Sequence, residues 1–288
     1  MATTALRYDP TAHLEFTSTD VVYRRDASGD LQALVYQPKG AGPFPAILEI
    51  HGGAWNSGDR TNNPAIAEGL AASGVVVASI DFRMGGDHPY PSSLQDINYA
   101  TRWLKAHATE LRADPASVGG LGVSSGGHLI LLSGMRPADP RYAELPFSDG
   151  QDATLSYVIS CWGVIDALGR YRLAQSDGRA ELVGNHDRYF LTEAAMEDGN
   201  PLMMLQRGER AVLPPLLLIQ GTADESLPKG MVEDVHAHYS AAGGESELAL
   251  FDGQPHGIAG WSAPAVEKML ERMKAFIARR VSGRFVAG

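Results

Sequence analysis

Serine, histidine and aspartate together can turn a hydroxyl into a nucleophile, and this sequence carries the three at informative places. Ser124 lies in Gly122-Val-Ser124-Ser-Gly126, after a short apolar run and before His128-Leu-Ile-Leu-Leu132. A serine between glycines two residues either side suits a sharp strand-to-helix turn, which strains the serine backbone and leaves no room for neighbouring side chains. Such a turn lifts the hydroxyl clear of a sheet and aims the free N–H groups of the next helix at the same point. The five residues alone fit a glycine-rich turn with a solvated serine equally well. They fit a dinucleotide turn poorly, because Ser125 stands where the third glycine would be.

The other candidates are His51-Gly52-Gly53, Asp224 and His256, each placed just after a predicted strand. Singly they are weak: an aspartate there is usually a turn residue or helix cap, and a histidine in a Gly/Pro loop is usually just exposed. Their joint placement carries the argument. An imidazole can take the serine proton, a buried carboxylate can fix the imidazole tautomer, and a Gly-Gly turn can offer main-chain N–H donors to a tetrahedral intermediate. Glu225 adjoins Asp224, but Asp224 is the residue expected to point into a cleft beyond the strand end.

The elements that must position these residues alternate. Thr19 to Arg24 and Leu31 to Gln37 read as a hairpin around Asp26-Ala-Ser-Gly29, after residues 1–17, which read as an N-terminal arm. Strands are expected at Ala46–Ile50 and Val75–Ile80, both buried, ahead of Ser124, and at Leu155–Cys161, Leu213–Ile219 and Glu245–Phe251. Helices are expected at Ala65–Ala72, from Ser92 or Ser93 as cap to about Leu111, from Ser125, at Lys229–Ser240 and at Ala263–Arg280. Residues 166–211 break the rhythm with scattered aromatics and methionines, and read either as a cap over the site or as helices packed on the sheet. The pattern predicts one α/β domain over residues 1–288, with a mostly parallel sheet and helices on both faces.

Composition narrows the partners. With 44% hydrophobic and 20% charged residues the chain has ample core. A net charge of −10 and pI of about 5.3 disfavour nucleic acid and anionic membrane surfaces. The one cysteine, Cys161, excludes an internal disulfide and is read as a packed thiol. The absence of a leader-like N-terminus and of a long apolar run predicts a cytoplasmic protein with no membrane partner. No ligand cluster suggests a metal and no motif a cofactor; a homodimer is left open.

The order Ser124, Asp224, His256, with His51-Gly-Gly-Ala-Trp55 upstream, resembles the α/β-hydrolase superfamily. With Asp81-Phe-Arg83, Tyr90-Pro91, Asp96 and Gly122-Val-Ser-Ser-Gly-Gly-His128, the chain is most similar to acetyl esterase/lipase-like carboxylesterases, near the feruloyl-esterase-like and kynurenine-formamidase-like branches. The resemblance implies Ser124 as nucleophile, His256 as general base and acid, and Asp224 as its orienting carboxylate. It implies an oxyanion hole from the N–H groups of Gly53, Ala54 and Ser125, and His51 as a structural tether of that loop. Asp81 and Arg83 are expected to form an ion pair or hydrogen-bond network behind it. Ala54-Trp55 replaces the lipases' third glycine, so Trp55 is assigned to substrate binding. The function implied is a serine carboxylesterase acting on short- to medium-chain or aryl esters through an acyl-enzyme; the alternative is an amide or formamide hydrolase with the same triad.

Overall fold

A computed structural model of the chain describes residues 4–6, 8–26, 29–281 and 285–286. Its strands are β1 (Thr4–Ala5), β2 (Phe16–Asp26), β3 (Gly29–Pro38), β4 (Ala46–Ile50), β5 (Val76–Ile80) and β6 (Gly119–Val123). They continue with β7 (Val158–Cys161), β8 (Leu216–Gly221), β9 (Ser246–Phe251) and β10 (Phe285–Val286). Eight form one sheet in the order β2-β3-β5-β4-β6-β7-β8-β9, and β1 pairs with β10 in a separate ribbon. The β2–β3 and β3–β5 pairs are antiparallel, and every pair from β5 to β9 is parallel. The expected antiparallel hairpin therefore lies at one edge; residues 27–28 of its turn are outside the described set.

The parallel core follows from composition. β4, β5 and β6 are buried along their whole length, as runs that are apolar or glycine apart from Glu49 and Ser79 should be when both faces are covered. The helices are α1 (Pro64–Ala71), α2 (Ser92–Ala106), α3 (Ser125–Met135), α4 (Ala167–Ser176) and α5 (Ala180–Phe190). After them come α6 (Glu193–Asp198), α7 (Pro201–Gln206), α8 (Met231–Ala241) and α9 (Ala263–Val281). α1 packs on α9 over one face, while α2, α3, α7 and α8 form a contiguous layer on the other. In α9 the buried stripe is Met269, Met273, Phe276, Ile277 and Val281, close to the face expected from the 3.6-residue period.

Three local expectations need correction. Neither Ser92 nor Ser93 caps α2: Pro91 is the N-cap, and the Ser93 hydroxyl donates instead to the Arg83 carbonyl at 2.8 Å. α2 also stops at Ala106 rather than Leu111, and the chain turns at Arg112, whose φ of 55° lets its guanidinium donate to the carbonyls of Pro38 and Gly40. The N-terminal stretch is no free arm over its described part, since Leu14 donates its N–H to Ala72 and Tyr8 bonds Ser73; residues 1–3 and 7 lie outside the described set.

Candidate active site

β6 and α3 meet at Ser124, whose φ of 54° and ψ of −121° are far from helix or strand. Such strain persists only where neighbours over-determine it. The two flanking glycines do so. A Cβ on Gly122 would lie 2.2 Å from the Gly126 carbonyl oxygen, and one on Gly126 would lie 2.2 Å from that of Ile50. The Ser124 N–H donates to Cys161 at 3.0 Å, and its carbonyl accepts from Val164 at 3.1 Å, so β7 and the loop after it grip the turn.

Two loops beyond β8 and β9 bring the partners. Ser124 Oγ lies 2.9 Å from His256 Nε2, and His256 Nδ1 lies 2.7 Å from Asp224 Oδ2. The same carboxylate accepts from Gln220 Nε2 at 2.8 Å and, through Oδ1, from the Ser226 N–H at 2.8 Å. Burial pushes the Asp224 carboxyl up, but the His256 hydrogen bond and charge, with those of Gln220 and Ser226, outweigh it and hold the group below its ordinary value. An ionised Asp224 fixes the proton on His256 Nδ1 and leaves Nε2 free to accept from the serine. Glu225 is exposed, so the adjacent carboxylates do diverge as expected. A Cβ on Gly221 would sit 2.1 Å from the Gln254 carbonyl oxygen, which makes the close approach of the acid and histidine loops depend on glycine.

The loop after β4 lies against Ser124: a Cβ on Gly52 would be 3.1 Å from Ser124 Cβ. Gly53, Ala54 and Trp55 have φ of 110°, 49° and 65° in succession, an unusual run for two non-glycine residues. The Gly53 carbonyl accepts from Asn56 and Ser57, so the Ala54 N–H, trans across the same peptide plane, points the opposite way. Among the described residues no acceptor takes the N–H groups of Gly53, Ala54 or Ser125. His51 is buried, donates from Nδ1 to the Gly52 carbonyl at 2.7 Å and stacks on Phe82 with ring centres 4.4 Å apart. Burial lowers its pKa, so it is a neutral support of the loop.

Trp55, expected at the substrate, is placed elsewhere. It is 1% exposed and stacks on Tyr189 at 5.4 Å, with His186 and Phe190 edge-on. Its indole N–H donates to His128 Nδ1 at 3.1 Å, and His128 Nε2 donates to the Gly199 carbonyl at 2.6 Å. Burial pulls His128 down to about 4, which keeps it neutral and suited to this relay. The side chain joins the loop after β4 to the helices above it because an indole is large enough to fill that gap and carries a single donor that must be satisfied. Asp81 and Arg83 do not pair with each other. Asp81 binds Arg60 at 2.8 Å, whereas Arg83 binds Asp96 at 3.0 Å, and Asp96 also holds Arg24. Cys161 is a buried thiol at the end of β7, its pKa raised by burial, as a packed cysteine should be.

The excursion at 166–211 divides between its two readings. α5 and the start of α4 pack on Trp55 of the loop after β4, while α7 packs on α3 and α8 with the sheet-covering layer. Sequence reasoning missed Gln220, the second donor to Asp224, and Arg170 of α4, whose guanidinium lies over the Trp55 ring at 5.8 Å. A glutamine at a strand end and an arginine on a helix carry no local signal. Among the described residues no group of three metal-ligating side chains occurs, and no helix is long and apolar enough to cross a membrane.

Known proteins match this chain at low identity. The chain is 28% identical to an esterase of Thermogutta terrifontis, whose propionate-bound structure matches with a TM-score of 0.73 over 91% of this chain and 94% of that one. It is 29% identical to esterase LipC of Mycobacterium tuberculosis across 83% of this chain, and spans 62% of LipC's own length. The carboxylic ester hydrolase LipN of the same organism is 24% identical across 94% of this chain and 73% of LipN. The BD-FAE family matches residues 34–238, from the second strand of the hairpin through α8, and so includes Ser124 and Asp224 but stops short of His256. On an α/β-hydrolase fold, this chain belongs to the BD-FAE family.

Proposed function

We propose that the protein is a serine carboxylesterase that hydrolyses short- to medium-chain or aryl esters through an acyl-enzyme. The observation that carries the reading is the continuous relay from Ser124 Oγ through His256 to Asp224, at 2.9 and 2.7 Å. In the first half-reaction His256 Nε2 takes the Ser124 proton as Oγ attacks the ester carbonyl carbon. The carbonyl oxygen gains negative charge and is received by the N–H groups of Gly53, Ala54 and Ser125. Collapse expels the alcohol, protonated by His256, and leaves the acyl group on Ser124. Water, deprotonated by the same imidazole, then releases the acid and restores the serine.

The neighbours support this. The Thermogutta terrifontis esterase is described with propionate bound, with butyrate bound, and phosphorylated by paraoxon. The formamide alternative drew on Trp55, and with that indole enclosed beneath α5 its presence gives no reason to prefer an amide. The proposal is tested by ranking kcat/KM over p-nitrophenyl esters from acetate to palmitate and over aryl formamides. Activity should peak on short chains, fall beyond roughly eight carbons and be weaker on formamides. A long apolar groove would instead add up to ~0.8 kcal/mol per buried methylene. A rate rising steadily to palmitate, or a formamide preferred over every ester, contradicts the reading.

A further inference from the structure

Arg170 is a buried cation without a hydrogen-bonding partner, beside the proposed catalytic apparatus. It projects from the second turn of α4, is 4% exposed, and its Nε and Nη1 find no acceptor among the described residues. Its guanidinium lies over the Trp55 ring, 5.8 Å from the centre, and the opposing charge that acts on it is the carboxylate of Asp224. It thus lies against Trp55 of the loop after β4 and within electrostatic reach of Asp224. Burial lowers its pKa only to about 10, so the side chain stays charged at neutral pH. Stacking on an indole offsets only part of the cost of burying such a charge. Asp224 supplies field but no hydrogen bond, since its oxygens serve His256, Gln220 and Ser226.

We infer that Arg170 is a specificity residue that receives a carboxylate of the substrate, so that the preferred substrates are esters bearing a free acid group. A planar guanidinium with parallel N–H groups matches a carboxylate in geometry as well as charge. The inference rests on the esterase reading and narrows its substrate class. The acid could belong to the acyl part, as in a half-ester of a dicarboxylic acid, or to the alcohol, as in an acylated hydroxybenzoate; the chemistry at Arg170 is the same.

The test compares kcat/KM, corrected for spontaneous hydrolysis, on two matched series. Mono-p-nitrophenyl glutarate and adipate are set against p-nitrophenyl pentanoate and hexanoate, and 4-acetoxybenzoate against its methyl ester. The wild type should favour the acid-bearing member of one series by about tenfold or more. Arg170→Met should lose about 10²-fold on that substrate while staying within about threefold on its neutral match, and Arg170→Lys should recover part of the loss. Equal losses on charged and neutral esters would mean that Arg170 only packs on Trp55, and would overturn the inference. If Arg170→Met does not fold, the wild type decides: glutarate or 4-hydroxybenzoate should inhibit butyrate ester hydrolysis competitively, and the matching amides should not. Inhibition by neither acid overturns it. Hydrolysis of neutral esters that requires Ser124, with no preference for acids, defeats this inference alone. A wild type inactive on every ester defeats the esterase reading as well.

Discussion

The ends of β4, β6 and β8 surround Ser124, while α4 and α5 pack on Trp55 of the loop after β4, and the two regions are built on opposite principles. At the strand ends the backbone does the positioning. Gly122 and Gly126 each face a carbonyl oxygen at 2.2 Å from where a Cβ would be, and Asp224 has its acceptor sites taken by His256, Gln220 and Ser226. In the helical segment side chains do the positioning. Trp55, Tyr189, Phe190, His186 and His128 fill one another's gaps. The difference teaches where each kind of specificity resides. A reaction needs atoms held to a fraction of an ångström, which short glycine-constrained turns provide. A substrate preference needs a shape that can vary between relatives while the chemistry stays, and a packed helical layer provides that.

The largest effect that could break this division is expected at the acid. Asp224→Asn should keep the fold but favour the wrong imidazole tautomer and remove the charge that steadies the imidazolium, costing about 10⁴-fold in kcat, as in comparable triads. Glu225→Gln, one residue on and exposed, should stay within about tenfold. The check is kcat for both variants near pH 8, with circular dichroism to confirm folding. A large loss only in Glu225→Gln would move the acid by one residue.

A smaller effect should separate the two regions by pH. His186 in the helical segment is pulled from 6.5 down to about 4 by burial, so between those values the unfolded chain binds a proton that the native protein does not. Stability is therefore lost as pH falls through that window. Glu49 on β4, beneath the oxyanion loop, is raised by burial from 4.5 to about 7 despite hydrogen bonds from Ser79 and Asn63. The native protein there holds the extra proton, and stability is lost as pH rises from about 4.5 to 7. His186→Phe should therefore gain on the wild type between pH 8 and pH 5, and Glu49→Gln should gain between pH 5 and pH 8, each by up to ~2 kcal/mol. Urea denaturation at the two pH values measures both. Shifts of the same sign would mean that one of the two burial effects is misassigned.

The sequence revealed the strand-end geometry well, because glycine spacing and strand-end polar residues are local signals. Ser124 could be singled out by joining its five-residue turn to the polar residues at the other strand ends, and Asp224 could be separated from Glu225 by its distance from the strand. Trp55 was misjudged because its neighbours Tyr189 and His186 are more than 130 residues away, so nothing beside it in the chain shows that it is enclosed. Asp81 and Arg83 do sit in ion pairs, but each found its partner, Arg60 or Asp96, through the fold, so the sequence did not show that they would not pair with each other. Arg170 could not be singled out at all, since burial without a partner is a property of the packed state.

The account's central claim is that Ser124 is the nucleophile, and covalent trapping tests it most directly. After treatment with paraoxon, peptide mass spectrometry of the intact-fold protein should show one diethylphosphoryl group on Ser124, with esterase activity lost in proportion to labelling. Ser124→Ala should neither label nor turn over. A label on Ser125 or Cys161, or full inactivation with Ser124 unmodified, would contradict the account.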